Sequence, residues 1–189
     1  MDSDISHFRN FKDSLPTISN FAYCFPLLLS LFISLPTLPV LAMFVLAITS
    51  GSWHIMELRA QYEHKGRVWR GYPAYIHRRL DVWSIYLVFS VIAAEHLFIY
   101  LGFLGYLIFP IVLLFEYVMS NHDRFTVIGT IAAIAILTSF LTLPTIQVII
   151  AIILFGLAIK IAEEAFPNGQ YRHSLWHLIT SIAITLLFI

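Results

Sequence analysis

Two histidines four positions apart open the last apolar run of the chain. His173 and His177 stand at the beginning of this run, which continues to Ile189. Residues at i and i+4 of a helix lie one above the other on the same face, roughly 5–6 Å apart at Cβ, so both imidazoles can reach one ion. The spacing therefore predicts a pair of metal ligands.

A third ligand must come from elsewhere in the chain. Zinc sites use more than two protein ligands, and catalytic ones typically have three with a fourth position open for water. The best candidate is His54, which follows Ser50 by four positions. Because His54 and His173 are far apart in sequence, the fold has to bring their segments to the same depth of one helix bundle.

The composition indicates an integral membrane protein. Hydrophobic residues make up 59% of the chain and charged residues 12%, against roughly 45–50% and 25% in soluble domains. The net charge is zero, and neither a basic tail nor an aromatic-basic mixture suggests a nucleic-acid partner. A single cysteine, Cys24, excludes an internal disulfide and is expected to pack in the core.

Turn-forming residues divide the apolar part of the sequence into seven predicted transmembrane helices of an all-α bundle. The stretch from 18 to 56 exceeds the roughly 20 residues of one span and is interrupted by prolines at 36 and 39, so it is split in two. Pro26 is expected to kink the first span. The other spans are predicted at about 81–99, 102–118, 125–142, 146–162 and 173–189. We predict residues 1–17 as a cytosolic amino-terminal segment and residues 18–189 as one seven-helix transmembrane domain.

The distribution of cations predicts the orientation. Short cytosolic segments are enriched in Lys and Arg. With the amino terminus in the cytosol, all eleven Lys and Arg residues fall in or beside inner segments, six of them between 57 and 79, and the outer turns at 35–39, 100–105 and 143–145 hold none. The carboxyl terminus is then predicted to lie outside or in a lumen.

This topology collects the chemical residues at one end of the bundle. Span two ends inside, and spans three and seven begin inside, so His54 with Ser50, Asp81, and His173 with His177 share the cytosolic face. Three neutral imidazoles, one carboxylate and one hydroxyl match a catalytic zinc site with an open water position. A carboxylate there can accept a proton from water whose pKa the metal lowers toward about 7.

At these positions the chain resembles the CREST superfamily of seven-span proteins. The superfamily groups alkaline ceramidases, adiponectin and progestin receptors, hemolysin III proteins, Per1-like proteins, and the GPI-processing phospholipase with its relative myomaker. The matching elements are Ser50-x-x-x-His54 at the end of span two, Asp81 at the start of span three, and His173-x-x-x-His177 at the start of span seven.

Several branches of that superfamily show points of similarity. The sequence of residues 173–177, together with Glu57 three positions after His54, looks most like the Per1-like and GPI-phospholipase branches. The sequence of residues 79–81 also resembles that of the receptor branch.

The resemblance implies an activity and a role for each residue. The three histidines would hold Zn²⁺, Asp81 would orient or deprotonate the water at the metal, and Ser50, or its neighbour Ser52, would steady the oxyanion or the water. The implied reaction is hydrolysis of an amide or ester bond in a membrane lipid at the cytosolic face. The sequence points to no particular protein partner.

Two other functions are compatible with the same residues. A non-catalytic receptor or membrane-remodelling protein could use the same histidines as a structural zinc site. A small transporter is disfavoured, because the polar residues gather at one face instead of lining a path through the midplane.

The remaining histidines are expected to lie away from the site. His64, His77 and His122 are predicted in solvated cytosolic loops, and His7 in the amino-terminal tail. His96, beside Glu95, is predicted near the outer end of span three.

Overall fold

The computed structural model describes residues 11–63, 72–118, 124–164 and 169–189. Within these ranges the chain is helical apart from short turns and contains no strand, which confirms the all-α prediction. The helices are α1 Phe11–Ser19, α2 Phe25–Leu29, α3 Thr37–Glu63, α4 Tyr72–Leu101, α5 Ile108–Val118, α6 Arg124–Ser139, α7 Thr145–Glu164 and α8 Gly169–Leu186. Two 3₁₀ turns, Asn20–Cys24 and Gly102–Leu107, precede α2 and α5.

The amino-terminal segment, residues 11–29, consists of α1, the first 3₁₀ turn and α2. Pro16 lies inside α1, and Pro26 occupies the first turn of α2. Because proline lacks an N–H, the regular α-helical hydrogen-bond ladder is interrupted near it, and the chain tightens into a 3₁₀ turn just before Pro26. The predicted boundary between residues 17 and 18 falls within α1, so this helix belongs in part to the packed body.

The amino-terminal segment lies between two helices that are far apart in sequence. It packs against α3 on one side and α8 on the other. In the described residues α3 otherwise packs mainly on α4, and α8 mainly on α7. The segment therefore bridges the two halves of the bundle.

The described part of the molecule has small polar side chains within a largely apolar core and large apolar side chains on its surface. Small hydroxyl side chains such as Ser84, Ser139 and Thr185 are buried, whereas Phe32 and Phe103 are 83% and 84% exposed. Soluble proteins rarely expose contiguous apolar surface of this kind. Among the described residues, the stretches 37–56 and 79–112 are long and apolar enough to cross a membrane, and 15–29, 127–139 and 145–161 form shorter apolar helices.

The polar segment predicted between 57 and 79 is mostly helical in its described part. Helix α3 continues to Glu63 and α4 already begins at Tyr72. Hydropathy marks where the apolar residues end, and a helix can extend beyond that point. His77 therefore lies half-buried on α4 instead of in a solvated loop. The predicted positions of His7, His64 and His122 lie outside the described residues.

The fourth predicted helix begins in a different form from that expected. Residues 102–107 are a 3₁₀ turn, and the α-helical part starts only at Ile108. Gly102 has φ +55°, a left-handed conformation that glycine adopts at little cost and that ends α4. A Cβ on Gly105 would lie 2.8 Å from the backbone nitrogen of Phe98, so only glycine lets this turn pack on α4.

We expect Gly105→Ala to lower the free energy of unfolding by about 1–3 kcal/mol, because the added methyl overlaps the α4 backbone. Gly129→Ala is the matched control, since no atom lies within 4 Å of the position of its Cβ. The control should stay within about 1 kcal/mol of the wild type. Thermal unfolding in detergent measures both, and equal melting temperatures for the two variants would contradict the close approach.

Candidate metal centre

Three histidine side chains converge between α3 and α8. His54 comes from α3 and His173 and His177 from α8, and one ring nitrogen of each lies within 4.8 Å of the others. The Nε2 atoms of His54 and His173 are 2.9 Å apart, although 119 positions separate them in the chain. His54 and His177 are buried, and His173 is half-buried. The three histidines that the sequence analysis selected are thus brought together.

The geometry of the three rings fits a zinc ion. With Zn–N bonds of about 2.0–2.1 Å, two nitrogen ligands of a tetrahedral ion lie roughly 3.3 Å apart, close to the separation of the two Nε2 atoms. The ring centroids are 4.6, 5.3 and 4.5 Å apart, and the His173 ring stands at 74° to each of the other two. Rings in this arrangement can direct one nitrogen each to a common point. The cluster could therefore hold a metal ion.

His177 is enclosed by side chains that the sequence analysis did not select. The Ser19 hydroxyl lies 2.8 Å from its Nδ1, and the rings of Tyr23 and Trp176 pack 5.6 and 5.3 Å from its ring, between centroids. Ser19 and Tyr23 are four positions apart, so they share one face of the amino-terminal segment. That spacing within an apolar stretch is the only local signal of their role.

Tyr23 also ties the amino-terminal segment to α8. Thr180 donates its hydroxyl hydrogen to the carbonyl oxygens of its own helix, so the Tyr23 hydroxyl, 3.0 Å away, donates to Thr180 Oγ1. A second tie runs from the Ser181 hydroxyl to the Ala22 carbonyl oxygen. The segment is therefore attached to α8 at the adjacent residues Ala22 and Tyr23.

The structure separates the two candidate serines. Ser50 is 4% exposed and lies one turn before His54 on α3. The Ser52 hydroxyl donates to the Thr49 carbonyl at 2.8 Å and lies 3.2 Å from Nδ1 of His77. Since Ser52 is engaged with His77, which is not part of the cluster, the geometry favours Ser50 as the hydroxyl of the site.

Asp81 lies on the side of α4 that faces α3. His77, one turn before it, contacts a serine hydroxyl of α3, and Ser84, one turn after it, contacts a threonine hydroxyl of α3. A residue between them at i+4 and i−3 shares their face, so Asp81 is level with Ser50 in the antiparallel helix pair. Its Oδ1 is shielded from solvent. Its role as a proton acceptor remains a prediction.

His96 belongs to a separate polar cluster toward the opposite end of α4. Its Nε2 donates to the Leu187 carbonyl oxygen at 2.7 Å, because a carbonyl can only accept, and its Nδ1 accepts from the Thr142 hydroxyl. At about 1.5 Å per residue, His96 is roughly 28 Å along α4 from His77. Both ring nitrogens serve to join helix ends, so His96 has a structural role.

Comparison with protein-family models, with curated proteins and with solved structures gives no match to this chain. The function has to be inferred from the chemistry of the site.

We expect purified wild-type protein to carry about one zinc per chain and the double variant His173→Ala, His177→Ala to lose it. His77→Gln is the matched control, because His77 is also half-buried but lies outside the cluster. Elemental analysis of detergent-purified protein measures the ratio. Zinc retained by the double variant would place the metal elsewhere.

Proposed function

We propose that this protein is a multi-pass membrane hydrolase that uses a zinc ion held by His54, His173 and His177 to cleave an amide or ester bond of a lipid. This proposal includes its membership of the CREST superfamily. The observation that carries it is the meeting of three imidazoles from helices that are remote in sequence. Three imidazole nitrogens within reach of one another are a ligand set that zinc takes in catalytic sites.

The residues around the cluster have the chemistry that hydrolysis requires. Zinc, when bound, acidifies water and polarises a carbonyl group. The Asp81 carboxylate is the general base of the proposal and takes up the proton that the water loses. The Ser50 hydroxyl donates a hydrogen bond to the oxygen on which negative charge develops. Ser50 lies one turn before His54 on α3, and Asp81 lies beside Ser50 on the neighbouring helix α4.

A membrane location is supported by the surface of the bundle. Exposed Leu, Ile and Phe side chains occur on the amino-terminal segment and on all of α3 to α8, which is the pattern that lipid contact requires. We propose that all seven helical segments cross the membrane, counting the amino-terminal segment as one and joining the 3₁₀ turn 102–107 to α5. The amino terminus lies in the cytosol, in agreement with the distribution of cations.

A groove beside the cluster supports a lipid as the substrate. Its volume is about 760 Å³, within the roughly 300–1,000 Å³ of ligand sites. The lining is almost entirely apolar, with Ile18 and Ala22 on one wall and Leu175 and Leu178 on the other. Ser19, which contacts His177, also lines it. An acyl chain in this groove would bring its polar linkage next to the three histidines.

Asp81→Asn separates the hydrolase from a non-catalytic protein with a structural zinc. We expect turnover to fall about 100-fold or more, because the amide cannot take up a proton, while the zinc content stays at the wild-type ratio. Hydrolysis of a panel of ceramides, lysolipids and GPI lipids, measured by mass spectrometry, provides the activity. Unchanged turnover with zinc still bound would remove Asp81 from the proposed reaction.

Filling the groove should discriminate between substrates by chain length. We expect Leu178→Trp to lower kcat/KM for a long-chain lipid about tenfold relative to a short-chain analogue, because the indole occupies space needed by the distal part of the chain. Ile182→Trp is the matched control, since Ile182 is similarly exposed one turn further along α8 but does not line the groove. Equal losses for both chain lengths would show that the groove does not hold the acyl chain.

A further inference from the structure

We infer that Ser19 is a positioning residue that holds His177 with Nδ1 protonated and Nε2 presented to the metal. This inference rests on the metal site of the proposed function and adds a residue from a helix that carries none of the three ligands. Ser19 would touch neither the metal nor the reacting atoms, and it acts through the His177 ring.

The hydrogen bonds determine which nitrogen of His177 carries the proton. A serine hydroxyl has one hydrogen to donate, and Ser19 donates it to the Pro16 carbonyl oxygen at 2.9 Å. The Ser19 oxygen must then accept from the second partner, Nδ1 of His177, at 2.8 Å. This contact requires an N–H at Nδ1, so Nε2 of the neutral ring keeps the lone pair.

The Pro16 carbonyl oxygen is held in place by two hydrogen bonds. Asn20 donates to the same oxygen through Nδ2 at 2.7 Å, and its side chain is 1% exposed. Two donors from the following turn therefore fix the direction of the carbonyl, and the carbonyl in turn fixes the direction of the Ser19 hydroxyl. The chain of bonds from His177 to Ser19 to Pro16 has one consistent direction.

This arrangement matches the way in which metal-binding histidines are usually oriented. The nitrogen that does not bind the metal donates to a protein oxygen, which fixes the tautomer and the ring plane, and loss of that partner typically costs about 10–100-fold in metal affinity or activity. His177 has such a partner only because the amino-terminal segment packs against α8.

The docking of the segment does not depend on Ser19 alone. The Tyr23–Thr180 and Ser181–Ala22 hydrogen bonds attach the same segment to α8 without touching the ring nitrogens of His177. Removing the Ser19 hydroxyl should therefore leave the helices in place and change only the orientation of the ring. Removing the Ser181 hydroxyl takes away one of these two docking bonds, and the Tyr23–Thr180 bond should keep Ser19 against His177.

The test compares metal binding by full-length variants in detergent. We expect Ser19→Ala to bind zinc about 10-fold or more weakly in competition with a chelator, and to show an altered visible absorption spectrum with Co²⁺ in place of zinc. Ser30→Ala is the matched control, because Ser30 donates to the Leu27 carbonyl three positions earlier, as Ser19 does to Pro16, but is remote from the cluster. Ser30→Ala and Ser181→Ala should keep the wild-type affinity and spectrum.

A second pair of variants tests the hydroxyl at constant shape. Ser19→Thr keeps the hydroxyl and should bind zinc as the wild type does. Ser19→Val has the same shape as Ser19→Thr but no hydroxyl, and it should behave like Ser19→Ala. Wild-type affinity and an unchanged Co²⁺ spectrum in both Ser19→Ala and Ser19→Val would overturn the inference and leave the metal site standing. If the wild type binds neither Zn²⁺ nor Co²⁺, or if His177→Ala binds them equally well, the proposed metal site fails, and the role of Ser19 fails with it.

Discussion

The spacing between α3 and α8 is set by the amino-terminal segment that packs between them, and the candidate site depends on this spacing. The ligands stand on two helices that pack chiefly on other neighbours. The segment lies close to α3 at Gly51, where an added Cβ would be in ordinary contact with the Cβ of Asn20, 3.9 Å away.

The two buried histidine clusters illustrate how the same side chain is used in two ways. His96 and His177 are 5% and 1% exposed. Both ring nitrogens of His96 are hydrogen-bonded to protein groups, Leu187 and Thr142, and these bonds join helix ends at one end of the bundle. His177 gives Nδ1 to Ser19, while its ring belongs to the cluster with His54 and His173. The number of ring nitrogens taken by the protein, more than burial, distinguishes a structural histidine from a candidate ligand.

The sequence predicts the three histidines because two general rules act together. The i, i+4 spacing puts His173 and His177 on one face, and counting spans puts His54 at the same end. Ser19 could not be found in this way, since its partner is 158 positions away and no local pattern encodes such a contact. The extension of α3 to Glu63, the start of α4 at Tyr72 and the 3₁₀ turn at 102–107 were also missed, because hydropathy reports the extent of the apolar residues and not the hydrogen-bonding pattern.

The long sequence separation within the site has a consequence for biosynthesis. Ser19 is translated 158 positions before His177, so the bond between them forms only after the intervening helices have been made. A nascent chain that has not yet reached α8 lacks two of the three imidazoles of the cluster. Assembly of the candidate site therefore has to follow the synthesis of α8.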